Sequence, residues 1–143
     1  MSDVVVDSSV VAKWLLPEAD SKQAQRLFTD VVGRGEELLV LDLTFVEAGN
    51  AIWKQQRRGM ITLADAHQFL AKLLALSVQI HPANALLQPA FEIAVKYDRA
   101  IYDALFVALA QDLRLPGVTA DEPLWQAVHA DFPNITLLRD WRQ

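Results

Sequence analysis

The 143-residue chain is 52% hydrophobic, enough for one domain whose core needs no covalent staple. It has no cysteine, which rules out a disulfide framework, a thiolate zinc site and a cysteine nucleophile; with no secretory leader and no apolar run of membrane-spanning length, the expectation is a cytoplasmic protein. A net charge of −5, from 18 acidic and 13 basic residues, rules out nucleic-acid binding by a generally basic surface and leaves a local basic patch or bridging cations for that purpose.

Val4-Val5-Val6 is a β-branched run and reads as a short strand buried on both faces, hence part of a parallel sheet flanked by helices. Asp7 ends it at the carboxyl end of the strand, where open α/β sheets bind ligands. Val10 to Leu16 reads as a short helix stopped by Pro17, because proline disfavours helix in the residue before it. Asp20 or Ser21 caps the next helix, whose buried face is Ala24, Leu27, Phe28 and Val31, and Gly33-Arg34-Gly35 ends it. Leu38 to Leu41 is a second buried strand. A third helix runs from Thr44 to Arg58 and is closed by Gly59. Thr62 opens a fourth, from Leu63 to about Leu76, with Phe69, Leu70, Leu73 and Leu74 inward. Val78-Gln79-Ile80 is a brief third strand. Asn84 to Tyr97 and Tyr102 to Leu113 are further helices, with Asp98-Arg99-Ala100 as linker. Pro116-Gly117 turns into a strand at Val118-Thr119, Asp121-Glu122-Pro123 opens a helix through His129, and Ile135 to Leu138 is a last strand. This alternation predicts an α/β fold, a mostly parallel sheet with helices on both faces, as one domain over 1–143.

Four acids stand out by position: Asp7, Glu47, Asp103 and Asp121. Each has a structural reading. Asp7 caps the helix after it; Glu47 completes Thr44-x-x-Glu47, a capping-box pattern; Asp103 lies in a helix's first turn; Asp121 is an N-cap before an early proline. The functional reading takes them together. In a parallel α/β sheet, helix starts lie at the carboxyl edge of the strands, so Asp7, Glu47 and Asp121 follow strands onto that edge, within reach of the helix that Asp103 opens. Carboxylates gathered in one crevice repel and raise each other's pKa values, and a divalent cation relieves that repulsion. Carboxylate oxygens with retained waters suit Mg²⁺ or Mn²⁺, which commonly also bind substrate phosphates. His67, His81 and His129 lack zinc-ligand spacing. Metal-assisted phosphodiester hydrolysis fits such a site. A ribonuclease attacking through the 2′-hydroxyl would want paired histidines, and these three are scattered.

The acids fall within four blocks. The first is Val4-Val5-Val6-Asp7-Ser8-Ser9-Val10-Val11-Ala12-Lys13-Trp14, and the second Glu47-Ala48-Gly49-Asn50-Ala51-Ile52-Trp53-Lys54. The third is Tyr102-Asp103-Ala104-Leu105-Phe106-Val107-Ala108-Leu109-Ala110, and the fourth Val118-Thr119-Ala120-Asp121-Glu122-Pro123-Leu124. In this order and at this length the chain resembles the PIN-domain ribonucleases, specifically the toxin of a VapBC-type toxin–antitoxin pair. The resemblance covers nearly the whole chain. It implies an α/β/α sandwich and a Mg²⁺- or Mn²⁺-dependent endoribonuclease. It implies Asp7 and Asp103 as metal ligands, with Glu47 and Asp121 completing the cluster directly or through water. Ser9 and Thr119 would bond to the cluster or its waters, and Asn50 would be a polar support; local helix or turn bonding is the alternative for these three. The resemblance also implies a homodimer, and a small VapB-type antitoxin that inserts a segment into the acidic crevice.

Lys54, Arg57 and Arg58, on successive turns of the Glu47 helix, and Lys13, Lys96 and Arg99, near other site-bearing segments, are candidates to hold RNA phosphates. Cations near a helix C-terminus also simply complement its dipole. Trp14, Trp53, Trp125 and Trp141 read as packing residues, with Trp53 and the apolar fourth helix as candidates for a dimer or antitoxin surface. A haloacid-dehalogenase-type phosphatase needs Asp-x-Asp after its first strand, and position 9 is Ser. A receiver domain lacks its acceptor Asp and its Lys here, and a flap nuclease is too large. The remaining alternative is an inactive PIN fold that only binds.

Overall fold

The computed structural model describes residues 2–142. Five strands, β1 (Val4–Val6), β2 (Leu38–Leu41), β3 (Gln79–His81), β4 (Gly117–Thr119) and β5 (Ile135–Leu137), form one sheet in the order β3-β2-β1-β4-β5, every pair parallel. The chain steps outward from β1 through β2 to β3, then crosses back and continues as β4 and β5 on the other side. β1 therefore stands at the switch in strand order, where the crevice beyond the carboxyl ends opens.

Strand alternation builds a core on each face. Val4, Val6, Leu38, Val40 and Val118 point to one, Val5, Leu39, Leu41 and Ile135 to the other. The first face is covered by α1 (Ser8–Leu15), α2 (Ser21–Gly33), α3 (Asp42–Arg57) and α4 (Leu63–Leu74). The second is covered by α5 (Leu87–Tyr97), α6 (Ile101–Leu113) and α7 (Glu122–Val128). The result is the expected three-layer α/β/α sandwich. All seven residues from Ala104 to Ala110 of α6 are buried, because this helix lies directly on β1, β2 and β4. Gly117 is the first residue of β4 rather than part of a turn; a Cβ there would meet Ile135 Cδ1 at 2.9 Å and Phe106 Cζ at 3.0 Å, so glycine lets α6 seat.

Several boundaries differ from the sequence reading. The helix α3 begins at Asp42, directly after β2, so Thr44 is already inside it and the Thr44-x-x-Glu47 capping box does not form. Asn84–Leu86 is a separate 3₁₀ turn, and α5 starts only at Leu87: Pro89 lacks the N–H that an α-helix through Ala85 would use. Leu138 leaves β5 for a 3₁₀ turn (Leu138–Asp140). In α4 the inward line is Ala66, Phe69 and Leu73, and the expected inward Leu70 and Leu74 lie on the outer ridge, 40% and 69% exposed. The closure of α3 holds: Gly59 takes φ +74°, with the N–H of Met60 bonded to Gln55 O. Thr62 caps α4 in a capping box with Asp65.

Candidate active site

Asp7 leaves β1 and caps α1. Its Oδ1 accepts the backbone N–H groups of Ser9 (3.1 Å) and Val10 (3.3 Å) and the Ser9 hydroxyl (2.5 Å), while Oδ2 accepts the Thr119 hydroxyl (2.5 Å). Each hydroxyl is oriented by a further bond. Ser9 Oγ accepts the N–H of Ala120 at 2.9 Å, and Thr119 Oγ1 accepts the N–H of Asp121 at 3.0 Å. Both hydroxyl protons are thereby aimed at Asp7, a setting suited to an ionised acceptor. β1 and β4 are neighbours, so the two strand ends bring Asp7, Ser9, Thr119 and Asp121 together. Asp121 caps α7, accepting the N–H of Leu124 at 3.1 Å through Oδ1. Capping and clustering coexist at Asp7 and Asp121.

Glu47, in the second turn of α3, has no side-chain hydrogen bond among the described residues. Asp103, in the first turn of α6, carries Oδ2 3.4 Å from Arg99 Nη2. Asp7, Glu47 and Asp103 line one narrow crevice together with Thr44, Tyr102 and Phe106. Burial is the main reason Asp7 is raised from 3.8 to about 6; the donors Ser9, Thr119 and Val10 oppose it, and the charge of Asp121 adds to it. Glu47 is raised from 4.5 to about 7 by burial and by the charges of Asp7 and Asp103. Asp103 is raised by burial and by Asp121, with Arg99 opposing. The four acids thus feel one another across one site.

Among the described residues, no three side chains close into a ready-made metal shell. Asp7 is turned to its hydroxyl donors and Asp103 leans towards Arg99. The donor set still fits a hard divalent cation: it consists of carboxylate oxygens, and three of the groups are raised from their ordinary values.

Other sequence candidates lie apart. Asn50 is exposed one turn beyond Glu47, and its side chain bonds to no described group. Lys13 donates to Ala19 O at 2.8 Å, bracing the loop after α1. Lys54, Arg57 and Arg58 are exposed at the far end of α3, roughly 10–16 Å from Glu47 along the axis at 1.5 Å per residue. Arg57 lies over the exposed Trp53 ring, 4.9 Å from its centroid. Trp14 packs in the core, its indole N–H bonded to Ala24 O. His81 bonds Gln79, His129 stacks on Trp125, and His67 is exposed on α4, so none lines the acidic crevice. Arg99, a candidate phosphate holder by sequence, instead pairs with Asp103 from the linker just before α6; its nearness in sequence to Asp103 is the available signal.

Residues 4–128 match the PIN domain family. Ribonuclease VapC3 of Pyrobaculum aerophilum is 35% identical over 123 residues, which cover 85% of this chain and 91% of that protein. The crystal structure of PAE2754, also from Pyrobaculum aerophilum, superposes with a TM-score of 0.73 at 25% identity, covering 96% of this chain and 85% of that one. A toxin–antitoxin complex from Klebsiella pneumoniae shares the fold at 17% identity, with a TM-score of 0.65 over 94% of this chain and 97% of that one. The chain therefore belongs to the PIN-domain family, in its VapC branch.

Proposed function

We propose that this protein is an endoribonuclease that hydrolyses RNA phosphodiester bonds with Mg²⁺ or Mn²⁺, and that it acts as the toxin of a VapBC-type pair. The observation that carries the reading is the acidic crevice, which Asp7, Glu47 and Asp103 line together from three separate segments, with Asp121 beyond the neighbouring strand end. Membership of the VapC branch supports it.

In this reading Asp7 and Asp103 hold the cation, with Glu47 and Asp121 beside them. When bound, the cation lowers the pKa of the attacking water and stabilises the leaving oxygen. Ser9 and Thr119 fix the rotamer and charge of Asp7 through their two hydroxyl donors. Glu47, with no side-chain hydrogen bond among the described residues, offers both oxygens to the cation or to the attacking water. Arg99 balances Asp103. No histidine lines the crevice, so attack by the 2′-hydroxyl has no histidine pair to serve it.

The partner would be a VapB-type antitoxin, and the working form a homodimer in the cytoplasm. No described helix is long and apolar enough to cross a membrane. Trp53 on α3 and Leu63, Leu70 and Leu74 on α4 are exposed apolar residues available for protein contact.

The test is incubation of the purified protein with a circular structured RNA, in Mg²⁺ and in EDTA. Linearisation with Mg²⁺ alone, lost in Asp103→Asn while the melting curve persists, is the expected result. An intact circle under both conditions would leave a PIN fold that binds without cutting.

A further inference from the structure

An open cavity of about 690 Å³ adjoins the acidic crevice, within the size range of ligand pockets. Tyr102 lines both spaces, so its ring stands between the cavity and the acids. Leu43, Ile101 and Leu105 supply apolar wall, and Asp42 and Asn84 supply polar groups. Asp42 directly follows β2 and Asn84 lies three residues beyond β3, so the cavity opens on the same carboxyl edge as the acids. The Tyr102 ring is 59% exposed beside Asp103, where burial gives it little reason to stand. Exposed aromatic rings next to a nucleic-acid site serve as stacking platforms for bases.

Charge selects what enters. Asp42 and the neighbouring carboxylates repel a phosphate, leaving an uncharged base as the fitting occupant. Asp42 Oδ1 accepts the N–H of Ala83 at 3.2 Å, and Oδ2 is left to accept from a ligand. The exposed Asn84 amide offers both a donor and an acceptor. An exocyclic amine of adenine, cytosine or guanine matches a carboxylate oxygen. The one base donor of uracil, N3–H, sits between two carbonyl oxygens that the carboxylate repels.

We propose that this cavity receives the nucleobase flanking the scissile phosphate, stacked on Tyr102, and favours amine-bearing bases over uracil through Asp42. The inference rests on the ribonuclease reading and adds a specificity subsite to it.

The experiment is single-turnover cleavage of a randomised single-stranded RNA pool in Mg²⁺, with the product ends sequenced. Tyr102→Ala is expected to raise the half-saturating protein concentration about tenfold, within the roughly 5–150-fold range of lost base stacking. Tyr102→Phe keeps the ring and restores the wild-type value. In wild-type products one position flanking the cut is depleted of uracil, and Asp42→Asn levels it. Unchanged half-saturation in Tyr102→Ala, with metal-dependent cleavage intact, overturns the subsite and leaves the nuclease reading standing. Failure of the wild-type protein to cleave at all defeats the nuclease reading itself. A weakening in Tyr102→Ala that follows loss of a dimer in sedimentation assigns the cavity to a second copy and overturns the proposal.

Discussion

Replacing Asp7 by asparagine in metal-free buffer is expected to stabilise the protein near neutral pH, although Asp7 caps a helix. Its carboxyl is raised from 3.8 to about 6. A native value above the unfolded one means that the folded protein gains stability from the bound proton at low pH, and loses that gain as pH rises through the native value. At 1.36 kcal/mol per pH unit, the ionised group costs the native state on the order of 3 kcal/mol near pH 7.5. Asparagine escapes that cost and still caps α1 through its carbonyl oxygen. It meets the Thr119 hydroxyl with an NH₂ group instead of a lone pair, which offsets about 1 kcal/mol. A net gain of about 1–2 kcal/mol corresponds to a rise in Tm of roughly 3–6 °C for a chain of this size. The assay is thermal unfolding of both proteins in EDTA across pH 4.5 to 7.5. The advantage of the variant should shrink as pH falls below 6. A variant less stable than wild type at pH 7.5, or a difference that ignores pH, would show that Asp7 is a structural cap and refute the reasoning.

Further outcomes follow from the same geometry. Mn²⁺ affinity, measured by calorimetry, should fall by about tenfold or more between pH 8 and pH 6, because Asp7 and Glu47, with values of about 6 and about 7, must lose protons to bind. Glu47→Gln should lower the cleavage rate about 100-fold or more with the circular dichroism spectrum unchanged, in line with the loss of a group acting on the attacking water. Gly117→Ala should cost about 1–3 kcal/mol in denaturant unfolding, since the new methyl group meets Ile135 and Phe106. If Arg57 and Arg58 track RNA phosphates, their double alanine variant should lower the salt slope of RNA affinity by about 1.4, and an unchanged slope removes them from the binding surface.

How far the sequence carries the account varies by element. Two of the three interior strands are apolar runs buried on both faces, and Val4–Val6 and Leu38–Leu41 were legible for that reason. The edge strand β3 was not legible in its role: Ile80 is 52% exposed, and its position at the sheet edge depends on pairing that no local pattern reports. Glu47 was legible as one of the four acids, with a capping pattern as its competing reading. With no residue between β2 and α3, the helix starts before Thr44, and the carboxylate is left facing the crevice. Leu70 and Leu74 were misjudged because an apolar residue at helical spacing reads as core even where a neighbouring ridge does the packing. The counter-charge Arg99 and the shared wall Tyr102 depend on how α6 lies against β1, which tertiary packing alone decides.

The most direct test of the central claim is a Mn²⁺ titration of the wild-type, Asp7→Asn and Asp103→Asn proteins by isothermal calorimetry at pH 8. Saturable binding in the wild type, abolished or strongly weakened in both variants while they remain folded, is the predicted result. Equal Mn²⁺ binding by all three proteins would contradict a shared carboxylate centre at the switch in strand order.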